Sequence, residues 1–147
     1  MAEIAGRSVA SRAKVWTLRP PRPAAPDSGD EAERQLFVAR CDALVRDVLR
    51  PRFLPEIRVS EQFNYCIDIR GSFRAGRYSF SQRYRSGFED NRGEEFDRAF
   101  ARIDRMGPDR FDIHWMRHTG KWWPLHRGVT LDRALHLMQT DGVIFPV

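Results

Sequence analysis

Two runs of strict alternation constrain this chain more than any other feature in it. Phe63, Tyr65, Ile67 and Ile69 alternate with Asn64, Cys66, Asp68 and Arg70. After GSFRAG, the residues Tyr78, Phe80 and Tyr84 alternate with Arg77, Ser79, Ser81 and Arg83. A period of two is the mark of a strand with one buried face, because successive side chains leave a pleated strand on opposite sides. Folding the runs about a Gly71–Gly76 loop predicts a hairpin. In it Ile69 faces Tyr78, Ile67 faces Phe80 and Phe63 faces Tyr84, while Asp68 and Asn64 meet Ser79 and Arg83 on the other side. The loop has the two-glycine spacing of a phosphate loop. It lacks the Lys and Ser/Thr at a helix mouth that would bring amides and dipole to a phosphate, so it reads as a turn.

A second hairpin is predicted from FDIHWMRHTGKWWPLH, Phe111 to His126. Phe111, Ile113 and Trp115 alternate with Asp112, His114 and Met116, a tight turn falls at Thr119-Gly120, and Trp122 to Leu125 returns. Pro124 has no N–H to give a ladder and so marks an edge. In this register His126 faces Ile113, and Arg117 is placed to stack on Trp122. Between the hairpins, residues 94–106 fit two patterns. Phe96, Phe100 and Ile103 have helical spacing, whereas Ala99, Ala101 and Ile103 alternate; the reading leans to a strand over the second half.

Helices flank the sheet. Ser28 lies three before Glu31, a capping-box spacing, and Phe37, Cys41, Leu44, Val45 and Val48 then share one face. Pro51 and Pro55 are expected to stop that helix. Thr130 caps a second, with Leu131, Ala134, Leu135 and Met138 on its inner face and Asp141-Gly142 at its end.

The 147 residues suffice for one domain, and 12% aromatic content allows a core without disulfides. Cys41 and Cys66 lack a metal or redox spacing and are expected to be free thiols in a reducing cytoplasm. No run is long and apolar enough for a membrane span, and the N-terminus has no secretory core. A pI near 9.9 suggests nucleic acid, but the charge is localised. Arg7, Arg12, Lys14, Arg19 and Arg22 stand against Glu3, giving residues 1–26 a net +4 of the chain's +5. With RPPRPAAP at its end, that stretch reads as a disordered, proline-rich leader. Residues 27–147 form the domain. Arginine outnumbers lysine 23 to 2, which a GC-rich bacterial genome explains more simply than selection for phosphate forks.

The chemical candidates are weak. His114 and His118 have the spacing of a helical zinc pair, but on a strand they stand roughly 13 Å apart, so no metal is expected. Asp112 and His114 share a strand face and are the acid–base candidates, with His118 nearby. No nucleophile elbow or activated cysteine is present. Arg77, Arg83 and Arg85 alternate with aromatics, which sends arginines to water and rings to the core rather than making one nucleic-acid face.

From Cys41 to Val147 the chain resembles a bacterial family of unknown function, numbered 3024. The likeness lies in FDIHW, then Gly120 and Trp122, a leucine-rich helix and a terminal DGVIF; Pro124 departs from it. The resemblance implies no activity, cofactor or catalytic residue. The expected fold is α+β: an N-terminal helix, an antiparallel sheet of about five strands from two hairpins and a linking strand, and a C-terminal helix. Phe63, Ile67, Ile69, Phe80, Phe111, Ile113 and Trp115 are the expected core. The expected function is a small non-enzymatic cytoplasmic module with a protein partner and no cofactor. The alternatives are a ligand-binding domain or enzyme using Asp112, His114 and His118, and weak nucleic-acid binding through Arg7, Arg12, Lys14, Arg19 and Arg22.

Overall fold

A computed structural model describes residues 26, 27, 29–54 and 56–146. Ser28, Pro55 and the five cations of the leader lie outside the described residues. Helix α1 (Glu31–Leu44) is capped by Asp30, whose carboxylate accepts from the Glu33 amide at 2.8 Å. It turns Phe37, Cys41 and Leu44 inward. Pro51 does not stop the helical path. A π turn, Val45–Leu49, intervenes, and a short helix α2 (Arg50–Phe53) carries Pro51 in its first turn. Proline disrupts a helix by lacking an N–H and by clashing with the carbonyl four residues back. The Arg50 amide bonds to the Val45 carbonyl five back, so the widened turn comes immediately before the ring.

Five strands follow: β1 (Tyr65–Arg74), β2 (Arg77–Arg85), β3 (Glu95–Gly107), β4 (Arg110–Met116) and β5 (Trp122–Val129). They form an antiparallel meander in sequence order. Helix α3 (Leu131–Thr140), capped by Thr130, completes the α+β architecture. The whole of residues 95–107 is strand, so the ambiguity over 94–106 resolves against a helix.

The first hairpin is tighter than its glycines suggest. Only Ala75 and Gly76 form the turn, both at positive φ (51° and 78°), the mirror-image geometry that suits the twist of paired strands. Gly71 is therefore inside β1, opposite Phe80, while Phe73 pairs with Tyr78 and Ile69 with Gln82. A bulge falls between Cys66 and Asp68, leaving Ile67 only partly buried. Phe63 precedes the strand and is 63% exposed, so it is not a core residue. The second turn also differs. Gly120 (φ 81°) closes a three-residue loop in which the Arg117 amide donates to Lys121 O. Trp115 then pairs with Trp123, and a bulge restores the predicted pairing of Ile113 with His126.

All helices pack on one face of the sheet. Phe37 sits at its centre, 4.9 Å from the ring of Phe111, 5.8 Å from Phe73 and 6.3 Å from Tyr78. Ile69, Phe80, Ala101, Ile103 and Ile113 form the floor, with Ala134, Met138 and Ile144 above. Trp115, expected in this core, is only partly buried. The buried guanidinium of Arg105 pairs with Asp27 at 2.8 Å and with Glu33, fixing the entry to α1.

Candidate functional site

Among the described residues, no helix covers the opposite face of the sheet. Its central rows are set by pairing: Ser79, Arg102, His114 and Pro124 in one, and Arg77, Asp104 and Asp112 in the next. Asp112 and His114 share this face as predicted, but they do not act on each other. Asp112 Oδ1 accepts the Gly128 amide at 2.9 Å. The carboxylate nearest His114 is Asp104, whose Oδ2 lies 3.7 Å from Nδ1, beyond hydrogen-bond reach. Asp104 is 4% exposed and is gripped by Arg102 through Nε at 2.7 Å and Nη2 at 3.1 Å. Burial pushes the His114 pKa down, outweighing the pull of Asp104 toward the charged form. Asp104 and Arg102 became legible only once residues 95–107 were known to be strand. The phase that puts Ile103 inside puts both of them outside.

His118 is elsewhere, exposed in the loop between β4 and β5. It borders a cleft of about 360 Å³ on the helix-bearing face, at the end of the sheet. Gln82, Tyr84, Arg98, Phe100, Trp115 and Arg117 line this cleft with His118, and Val143 and Phe145 supply a wall. That wall is anchored twice. The guanidinium of Arg52 stacks between Phe53 and Phe145, 5.0 and 4.5 Å from their centroids. His126 Nε2 lies 2.7 Å from Asp141 Oδ2, and this bond holds the Asp141 carboxyl below its usual range. Asp141 in turn receives the Val143 and Ile144 amides.

The cleft mixes apolar walls with hydrogen-bond donors. Trp115 Nε1 and Arg117 Nε are shut away from solvent with no acceptor among the described residues. Such groups are rare, because losing water without a partner costs about 1–3 kcal/mol each. Arg117 lies over Trp123 at 5.1 Å, while Arg102 covers Trp122 at 4.7 Å on the other face; the predicted stack of Arg117 on Trp122 fails because the turn is one residue longer. Among the described residues no carboxylate lines the cleft, although Arg98, Arg117 and His118 do. On β2, by contrast, Arg77 is paired with Asp104, Arg83 with Glu95 and Asp97, and Arg85 with Glu95. Sequence reasoning missed the cleft.

Among the described residues no three His, Cys, Asp or Glu side chains converge as metal ligands would, and no helix is long and apolar enough to cross a membrane. Cys41 is a buried free thiol whose ionisation burial suppresses, and Cys66 is a half-buried one.

These features define a class: an α+β protein built on a five-stranded antiparallel meander, with the described helices packed on one face and a donor-bearing cleft at the sheet end. The chain belongs to the family described as Domain of unknown function (DUF3024), whose model matches residues 29–146. No curated protein and no solved structure matches it. The family match begins just before the Asp30 cap and ends at Pro146, so it includes every residue of the cleft.

Proposed function

We propose that this protein is a small, non-enzymatic interaction module of the cytoplasm, and that the cleft between Trp115 and Phe145 is where it holds a partner. One observation carries the reading: two buried N–H donors, Trp115 Nε1 and Arg117 Nε, lack acceptors in a cleft otherwise apolar enough to drive association. A partner's oxygen atoms would satisfy them. A reducing compartment suits the free thiols Cys41 and Cys66.

The rival enzyme reading loses its support at the residues meant to carry it. Asp112 is committed to the Gly128 amide, and His118 stands on the other side of the sheet from His114. The depressed pKa of His114 and its buried, unbonded Nδ1 are in its favour, and packing beside the Arg102–Asp104 pair accounts for both.

The test is selection of a displayed peptide library on the full-length protein, followed by Val143→Trp, which puts a larger side chain on the cleft wall. Enriched peptides should lose binding to the variant. Peptides that bind Val143→Trp unchanged but lose His114→Ala would transfer the site to the open face and overturn the proposal.

A further inference from the structure

We infer that the cleft's partner is an internal acidic segment of another protein, apolar on both sides of a carboxylate that sits against Arg117 and the Trp115 indole. The inference rests on the cleft being the binding site and adds the chemistry of what enters it. Three observations on the cleft and its surroundings lead there.

The first is charge. Among the described residues Arg98, Arg117 and His118 face the cleft and no carboxylate does, whereas Arg77, Arg83, Arg85, Arg102 and Arg105 are matched by acids of this chain. An unbalanced cationic lining selects an anion and disfavours a basic segment, because like charges brought together in a partly desolvated site repel strongly. Residues 1–26, with their net +4, are for the same reason the wrong occupant.

The second is donor geometry. Trp115 near the end of β4 and Arg117 just beyond it both line the cleft. An indole N–H is a donor only, and a guanidinium Nε–H likewise. A carboxylate has two acceptor oxygens to offer such a pair, and a bond to a charged acceptor is the stronger kind.

The third is the apolar surface flanking the cleft, which excludes both a small acid and a chain end. On one side Phe96, 37% exposed, stacks on Tyr84 with centroids 5.5 Å apart. On the other, Trp123 and Val143 are 51% and 50% exposed. In strand order Phe96 on β3 and Trp123 on β5 stand on either side of Trp115 on β4, and their pairing with Tyr84 and Trp115 puts them on the cleft's face. A small carboxylic acid in the cleft would leave these flanks wet. A C-terminal carboxylate would reach one flank and not the other. A segment running across the strands covers both and places an internal Asp or Glu between them.

The experiment uses full-length protein and capped synthetic peptides taken from the displayed-library selection. Each is made with its acidic residue intact and with Glu→Gln or Asp→Asn, and binding is read by fluorescence anisotropy. The acidic peptides should bind roughly tenfold tighter than their amide analogues, the range of one charge-assisted hydrogen bond. Arg117→Gln and, separately, Arg98→Gln should bring the ratio of acidic to amide affinity toward one, with circular dichroism confirming each fold. Peptides that bind in the cleft, lose binding to Val143→Trp and show no acidic preference would overturn this inference and leave the binding module standing. Peptides that ignore Val143→Trp would overturn both. Hexanoate binding as tightly as the peptides, or a selection that enriches only sequences ending in a free carboxylate, would also defeat the internal segment.

Discussion

At the residue scale, Gly71 and Tyr78 show how a missing side chain organises the core. A Cβ on Gly71 would lie 1.9 Å from Tyr78 Oη and 2.4 Å from its Cζ. The phenol crosses β1 at that gap to reach Asp42, to which it donates a hydrogen bond. Gly71→Ala must expel the ring, and should cost about 2–4 kcal/mol in urea unfolding through lost packing and a lost buried hydrogen bond. At Gly107 an added Cβ would meet only the Arg110 guanidinium, beyond 3.5 Å, so Gly107→Ala should change stability by under about 1 kcal/mol. Equal costs at the two positions would contradict the packing account. His114 gives a pH prediction whose sign differs from that of a paired histidine. Its folded pKa is lowered from 6.5, so the unfolded chain binds the proton first as pH falls. Stability is therefore fully present above about pH 6.5 and declines as pH drops toward the folded value. Replacing His114 with Gln should flatten that slope, as measured by unfolding across about pH 5 to 8; an unchanged slope would show that other groups carry it.

At the scale of elements, strand phase explains what could and could not be read from sequence. Between the turn and the β1 bulge the true register of the first hairpin differs from the predicted one by an even number of residues. Phe73 rather than Ile69 meets Tyr78, yet the side chains there keep their faces, because the pleat repeats every two residues; beyond the bulge Cys66, not Tyr65, shares the face of Tyr84. That is why the core was largely legible while the loop and Phe63 were not. Strand β3 was ambiguous for a physical reason. A bulge at Phe100 separates the pairs Phe80–Ala101 and Ser81–Ala99, so Phe96 and Phe100 face inward on one phase and Ala101 and Ile103 on the other. Neither a pure strand nor a pure helix pattern fits such a segment. The link between β5 and α3 carries a prediction of its own. The His126 bond holds the Asp141 carboxyl below its usual 3.8, so this contribution is present above that pH and is lost as pH falls through the folded value. Asp141→Asn should cost about 1 kcal/mol at neutral pH. It should also speed amide exchange at Val143, whose N–H donates to the same carboxylate. Unaltered exchange there would mean that the Arg52–Phe145 stack alone secures the cleft wall.

Across the whole molecule, charge and apolar surface are kept apart, and each suggests a different kind of contact. On the open sheet face Arg77, Arg83, Arg85 and Arg102 are all in ion pairs, and residues 27–147 carry a net charge of only +1 (20 basic against 19 acidic side chains). A nucleic-acid contact is therefore expected to come from Arg7, Arg12, Lys14, Arg19 and Arg22, and with five cations its logarithmic salt slope on duplex DNA should not exceed about −4.5. Deleting residues 1–26 should abolish any such binding; salt-resistant binding by the shortened chain would direct attention back to the open face. The cleft lies on the other face, and it was illegible in the sequence because it is made by four distant segments. No spacing in the chain announces that Gln82, Arg98, Trp115 and Phe145 will meet. The most direct test of its role is the indole N–H spectrum of the protein, which contains four tryptophans, titrated with a selected acidic peptide. The Trp115 N–H should move downfield and exchange more slowly as it gains an acceptor, while Trp122, on the opposite face beneath Arg102, should stay in place. A titration that moves Trp122 and leaves Trp115 unmoved would contradict the account.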